Sequence, residues 1–213
     1  FLYIHDDYTY EQGNTLLRCE LSDHLEAMFM LRDLGKAGLF FSYTQDAIVN
    51  SFVEKEAHRV LVTPQNYARA LVFGPRLATA ALPLASWWDV NLNGSLLFTS
   101  FRLPADYPVS NNRQLTPSVS LTQQFRWRRN WTAELSGTYT GRLIAGPFTL
   151  CPIGEMNLGI EKKILGGKGS LRLFARDVWH THRLKREIRT PGQRAYTAER
   201  QNRSVAGISF TYR

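Results

Sequence analysis

The sequence predicts an all-β chain built as an antiparallel up-and-down transmembrane β-barrel. Three observations predict it. Long stretches alternate apolar and polar residues, the connections between them alternate short and long, and aromatic residues gather where strands meet connections. Strict alternation marks a strand with one apolar face. In a membrane barrel every second residue faces the lumen, so a spanning strand needs no continuous apolar run. The chain has no apolar run of about 18 residues or more, so a transmembrane helix is excluded and a barrel is not.

The predicted strands are 16–32, 37–50, 66–80, 86–101, 115–127, 131–142, 155–165, 170–178 and 203–213. In the first, SDHLEAMFMLRD (22–33) carries a partial helical stripe of Leu25, Met28, Phe29 and Arg32. The same residues alternate as Leu25, Ala27, Phe29 and Leu31, and the strand reading agrees with the rest of the chain. In the second, Leu39, Phe41, Tyr43, Ala47 and Val49 oppose Ser42, Thr44 and Asp46. The clearest case is WWDVNLNGSLLF (87–98), where Trp88, Val90, Leu92, Gly94, Leu96 and Phe98 oppose Trp87, Asp89, Asn91, Asn93, Ser95 and Leu97. Next, Val119, Leu121, Phe125 and Trp127 oppose Ser118, Ser120, Thr122, Gln124 and Arg126. Trp131, Ala133, Leu135 and Tyr139 likewise oppose Thr132, Glu134, Ser136 and Thr138. The last strand sets Ala206, Ile208, Phe210 and Tyr212 against Gly207, Ser209 and Thr211.

The connections 33–36, 81–85, 128–130 and 166–169 are short, and 51–65, 102–114, 143–154 and 179–202 are long. They alternate strictly, which puts every long loop at one end, as in outer-membrane barrels with tight periplasmic turns and long external loops. Trp87, Trp88, Trp127 and Trp131 flank short connections, while Phe98, Phe101 and Tyr139 lie toward long ones. That spacing fits two interfacial girdles around an apolar band. Aromatics also plug the ends of soluble barrels, but that alternative leaves the loop parity unexplained. The apolar faces are therefore expected to touch lipid. Lys162 falls on that face near the short-turn end, where a lysine can snorkel to water. Gln123 falls on it too, without a sequence rationale.

Nine strands are an odd number, whereas bacterial single-chain barrels have even ones. Residues 1–4 are too few for a tenth, since a spanning strand takes about nine to eleven. Residues 1–213 thus read as one barrel segment, the C-terminal portion of a larger barrel. The opening FLYIHDD has neither initiator Met nor leader, so either a leader was removed or the chain begins within a protein. The net charge is +8, but the basic residues collect in loops and form no nucleic-acid-binding motif, so no nucleic-acid partner is expected. Cys19 and Cys151 lack CxxC spacing and are expected to be free thiols.

Certain residues, in order, carry a family resemblance. They are YTYEQGN (8–14), the Tyr43, Asp46 and Ile48 pattern of SYTQDAI, Asn66, and Gly74 before WWDVNLN. LGIEKKIL (158–165), Asp177 in RDVW, and Arg203 leading into SVAGISFTYR complete the series. From about Tyr8 to Arg213 the chain resembles the C-terminal half of the barrel in TonB-dependent receptor-like outer-membrane proteins of the Bacteroidetes kind. It departs from them in following Gly-Asn with TLLRCE, and in closing at Arg213 where they carry a further aromatic. The resemblance implies a barrel of about 22 strands with a plugged lumen. It also implies a place in the Gram-negative outer membrane and energy-coupled uptake of a bulky nutrient. The implied partners are TonB acting through an N-terminal plug, the other barrel strands, outer-membrane lipid and lipopolysaccharide, and a surface lipoprotein.

Asp89, Asn91, Asn93, Gln124 and Glu134 are the candidate lumen-facing residues. They either contact substrate or plug, or simply solvate the inner wall. The loop 180–203 carries Arg183, Lys185, Arg186, Arg189, Arg194, Arg200 and Arg203 against Glu187 and Glu199. Arginines suit phosphate geometry, so this loop either binds lipopolysaccharide phosphates or another anion, or is a solvated charged loop. His180 and His182 would share a face on a strand, but no third ligand accompanies them, so no metal is expected. Gly166, Gly167 and Gly169 lack the context of a phosphate loop and read as a turn. With no nucleophile elbow and no HExxH, the chain is not expected to be an enzyme, and no cofactor is implied. Two other classes stay open. An outer-membrane barrel enzyme needs acidic and histidine residues converging above the external rim. A soluble ligand-binding β-barrel needs solubility without detergent.

Overall fold

The computed structural model describes residues 2–4, 7–55, 59–102, 111–128, 130–145, 148–190, 193–199 and 204–212. Its strands are β1 (Leu2–Ile4), β2 (Thr9–Gln12), β3 (Leu21–Met30), β4 (Gly35–Lys55), β5 (Arg59–Thr79), β6 (Leu82–Ala85), β7 (Trp88–Arg102) and β8 (Asn111–Trp127). They continue with β9 (Trp131–Thr140), β10 (Leu143–Ala145), β11 (Phe148–Leu150), β12 (Ile153–Ile164), β13 (Gly169–Arg176), β14 (Leu184–Thr190), β15 (Gln193–Glu199) and β16 (Val205–Tyr212). The wall runs β3-β4-β5-β7-β8-β9-β12-β13-β16, each strand antiparallel to the next. Each of the nine corresponds to a strand expected from the alternation. Among the described residues β3 pairs only with β4, and β16 only with β13.

Register decides the faces, because residues opposite each other on paired strands point the same way. Trp88 lies opposite Phe125, Leu92 opposite Leu121, Leu135 opposite Leu158, and Leu173 opposite both Ile160 and Ile208. One face of the wall is thus apolar from β3 to β16. Nothing in the described chain covers it. Leu25 is 69% exposed, Leu173 48% and Ile208 73%, and the buried apolar residues among those described are Ala47, Ala70 and Ile144. A face of this size in water is an unstable arrangement, so the medium against it must itself be apolar.

At the short-turn end the aromatic residues stack in pairs. Trp88 and Phe125 have ring centroids 5.8 Å apart, and Trp127 and Trp131 6.0 Å apart. Lys162 sits opposite Trp131 with its ammonium 5.0 Å from the ring centroid, at the edge where a lysine reaches water. Phe101 departs from expectation. Its parity in β7 puts it on the polar face, packed on Ala47 and Ala70, so it does not belong to the outer girdle.

The long connections are more ordered than their sequences suggest. Residues 51–65 were expected as a loop, but β4 and β5 stay paired from Ser51↔Thr63 to Lys55↔Arg59. The ribbon rises past the edge of β7, and β2 adds to it in parallel at Val60–Val62. Segments 143–154 and 179–202 supply a second sheet, β10-β11-β14-β15, beside the wall. Within 81–85, β6 folds back on β7. Residues 13–20, of which 16–20 were expected as the start of the first strand, are not in a strand.

They are instead clasped to the wall. Asn66 receives the Arg18 N–H at 2.7 Å and donates to the carbonyls of Arg18 and Asp46 at 2.8 Å each. Arg18 pairs with Asp46 at 3.1 Å, and Asn14 donates to the Pro64 carbonyl at 3.0 Å. Asp46 has φ of 51°, where a β-bulge breaks the β4–β5 register. An aspartate tolerates this region better than most non-glycine residues. The Asn14, Asp46 and Asn66 of the family resemblance therefore form one structural device.

Candidate functional site

The polar face of the wall carries the five predicted lumen residues. Asp89, Gln124 and Glu134 are consecutive partners in one row across β7, β8 and β9. Asn91 and Asn93 head the next two rows, opposite Thr122 and Ser120. The side chains are knitted together rather than free. Arg126 donates to Asp89 and, at 3.3 Å, to Gln124. Asn93 donates to Asn91 at 2.9 Å, and Asn91 donates to the Thr79 carbonyl at 3.2 Å. Glu134 pairs with Arg172 at 3.7 Å from two strands away.

Two hollows open on this face. One, of about 410 Å³, includes Glu26, Lys36, Arg76, Asn93, Ser95 and Ser120 in its lining. There Arg76 pairs with Glu26 at 3.5 Å and stacks its guanidinium 3.8 Å from the Phe40 ring centroid. The other, of about 330 Å³, includes Glu134, Asn157, Arg172, Arg176 and Ser209. The sequence reading missed Arg76, Arg126 and Arg172 as site residues. For Arg126 the signal was present in its alternation with Gln124. Arg76 and Arg172 depend on register. The face offers a row of hydrogen-bond donors and acceptors with both charge signs, suited to a polar ligand or a protein surface. Among the described residues no group of three or more His, Cys, Asp or Glu could hold a metal ion.

At the long-loop end, Asp177 organises residues 177–183. Its carboxylate accepts from the N–H groups of Thr181 at 2.9 Å and His182 at 3.3 Å, and from the Ser204 hydroxyl at 3.3 Å. Its own N–H donates to Asn157 at 3.0 Å. Burial pushes the carboxyl pKa up, but the two backbone N–H groups and the Ser204 and Thr181 hydroxyls outweigh it and hold it below the ordinary value. His180 and His182 lie in this turn, not on a strand, so strand spacing does not bring them together.

The basic loop is divided by the hairpin β14–β15. Arg183 and Lys185 line one hollow with Trp179 and His180, whereas Arg186 follows Lys185 and so points to the other side of β14. Arg189 and Arg194 pair through their backbones, and their side chains lie outside the described residues, as do Arg200 and Arg203. Cys19 and Cys151 are free thiols, the first exposed and the second half-buried.

No curated protein and no solved structure matches this chain. A family model does, over nearly its whole length, and it describes the same strand architecture. Its membrane setting accounts for the uncovered apolar face and removes the soluble ligand-binding barrel from consideration. Residues 1–212 match the Outer membrane protein beta-barrel family, and the chain belongs to that family, as a strand-built protein of the outer membrane.

Proposed function

We propose that the chain is the C-terminal part of the barrel of a TonB-dependent receptor, which takes up a bulky nutrient with energy coupled through a plug. The observation that carries this reading is the polar wall, which among the described residues has nine strands with a partner on only one side of β3 and of β16. An odd open sheet fits within a larger, even-stranded barrel. Its knitted inner rows would give a plug a firm polar surface to sit on. The clasp of Asn14, Asp46 and Asn66 adds support, because residues of the receptor-like pattern meet in space. On this reading the barrel conducts and does not catalyse, and a surface lipoprotein above the rim is an additional partner.

The test is the upstream reading frame together with uptake. A plug-encoding segment before Phe1, and nutrient uptake abolished by deleting TonB, are the expected results. A stop codon just upstream, or uptake indifferent to TonB, would overturn the proposal and return attention to an outer-membrane enzyme.

A further inference from the structure

We propose that the outer surface of β8, β9 and β12, beneath the 177–185 turn, binds one molecule of lipopolysaccharide. Its acyl chain would lie in an apolar groove and its phosphate in a basic hollow above. This rests on the outer-membrane placement and not on TonB coupling.

The groove exists because Gly137 stands between Leu121 and Met156 in the outward-facing row, leaving a gap between their side chains. Val119, Leu121, Leu135, Tyr139 and Met156 wall a volume of about 270 Å³, which Glu155 also borders, although its pairing with Thr138 gives it the parity of the polar face. Trp179, 66% exposed, hangs over it from the turn. The same Trp179 lines the hollow above, of about 550 Å³, with Pro152, His180, Arg183 and Lys185. Trp179 is thus shared by an apolar slot and a basic one. An indole is suited to that boundary, having an apolar body and one polar edge.

Charge decides the occupant. No acidic residue lines the upper hollow, and among the described residues no carboxylate pairs with Arg183 or Lys185. Two cations above a hydrocarbon slot match an anionic headgroup above an acyl chain. The long-loop end faces the external leaflet, where the phosphate-bearing lipid is lipopolysaccharide. Asp177 holds the turn that carries Trp179, so the two halves are aligned before a lipid arrives. Gln123 lines the groove as well, which places this polar residue beside an occupant.

The test uses the full-length protein in mild detergent, titrated with diphosphorylated lipid A and read by native mass spectrometry. One lipid per barrel is expected. Arg183→Gln with Lys185→Gln should weaken binding by about tenfold or more. Gly137→Leu, which fills the slot on the lipid-facing surface, should weaken it by a similar factor without touching the cations. Dephosphorylated lipid A and phosphatidylglycerol should both bind at least about tenfold more weakly. Equal binding of either control, or full binding by both variants, would overturn the proposal.

Discussion

Arg172 on β13 reaches Glu134 on β9 by crossing over Gly159 of the intervening β12. The two charges approach to 3.7 Å, and a Cβ built on Gly159 would meet the Arg172 Nη2 at 3.4 Å. A glycine here serves a side chain that must lie flat across the sheet. Its backbone is not in the left-handed region, so the requirement is one of space.

Glu134 and Arg172 are both substantially exposed, so the pair should stabilise the wall little. A Glu134→Gln/Arg172→Gln double-mutant cycle should give a coupling of about 0.2–1 kcal/mol, shrinking as salt rises. A salt-independent coupling above about 2 kcal/mol would contradict the exposure of both side chains. Gly159→Val should displace Arg172 and abolish the coupling while leaving the strand in place.

Lipid and lumen alternate residue by residue, so adjacent substitutions should differ sharply. Leu92 lies on the apolar face opposite Leu121, and Asn91 on the polar face opposite Thr122. Leu92→Arg should cost about 2–4 kcal/mol near the midplane, and Asn91→Arg far less. Reversible unfolding of the full-length protein from bilayers measures both. Equal costs would mean a one-residue slip in register.

The wall was legible because its two faces meet two different solvents, and that contrast is written directly as alternation. The 51–65 ribbon was not. It stands above the apolar band, where neither face needs to be greasy, and SFVEKEAHRVLVTPQ shows no two-residue period that would mark it as strand. The β10-β11-β14-β15 sheet was hidden for the same reason. Alternation identified the face of Asp89, Gln124 and Glu134, but not that they share a row, since a row is set by register across two hairpins. Arg172 was further out of reach, because its role depends on Gly159 being bare.

Asn66 is the centre of the clasp, and its loss should free the segment it holds. Asn66→Ala removes three hydrogen bonds, to the Arg18 N–H, the Arg18 carbonyl and the Asp46 carbonyl. The expected cost is about 1–3 kcal/mol, confined to that segment. Hydrogen exchange should show the Arg18 amide losing protection while β7 and β8 keep theirs. Unchanged protection at Arg18 would mean that the clasp contributes nothing to holding residues 13–20.

Asp177 should make the 177–183 turn sensitive to acid. Its folded pKa lies below the unfolded value of about 3.9, so its ionised form is the one that the fold favours. The stability it supplies is therefore complete above the unfolded pKa and is lost as pH falls through the folded pKa. Across neutral pH the turn should be indifferent. Limited proteolysis between Asp177 and Arg183 should accelerate only at strongly acidic pH, read with an acid-active protease. Asp177→Asn keeps one acceptor but loses the charge, so its turn should be cleaved faster at neutral pH and show no further acid dependence. If the variant retained the acid dependence of the parent, another group would be the one that holds the turn.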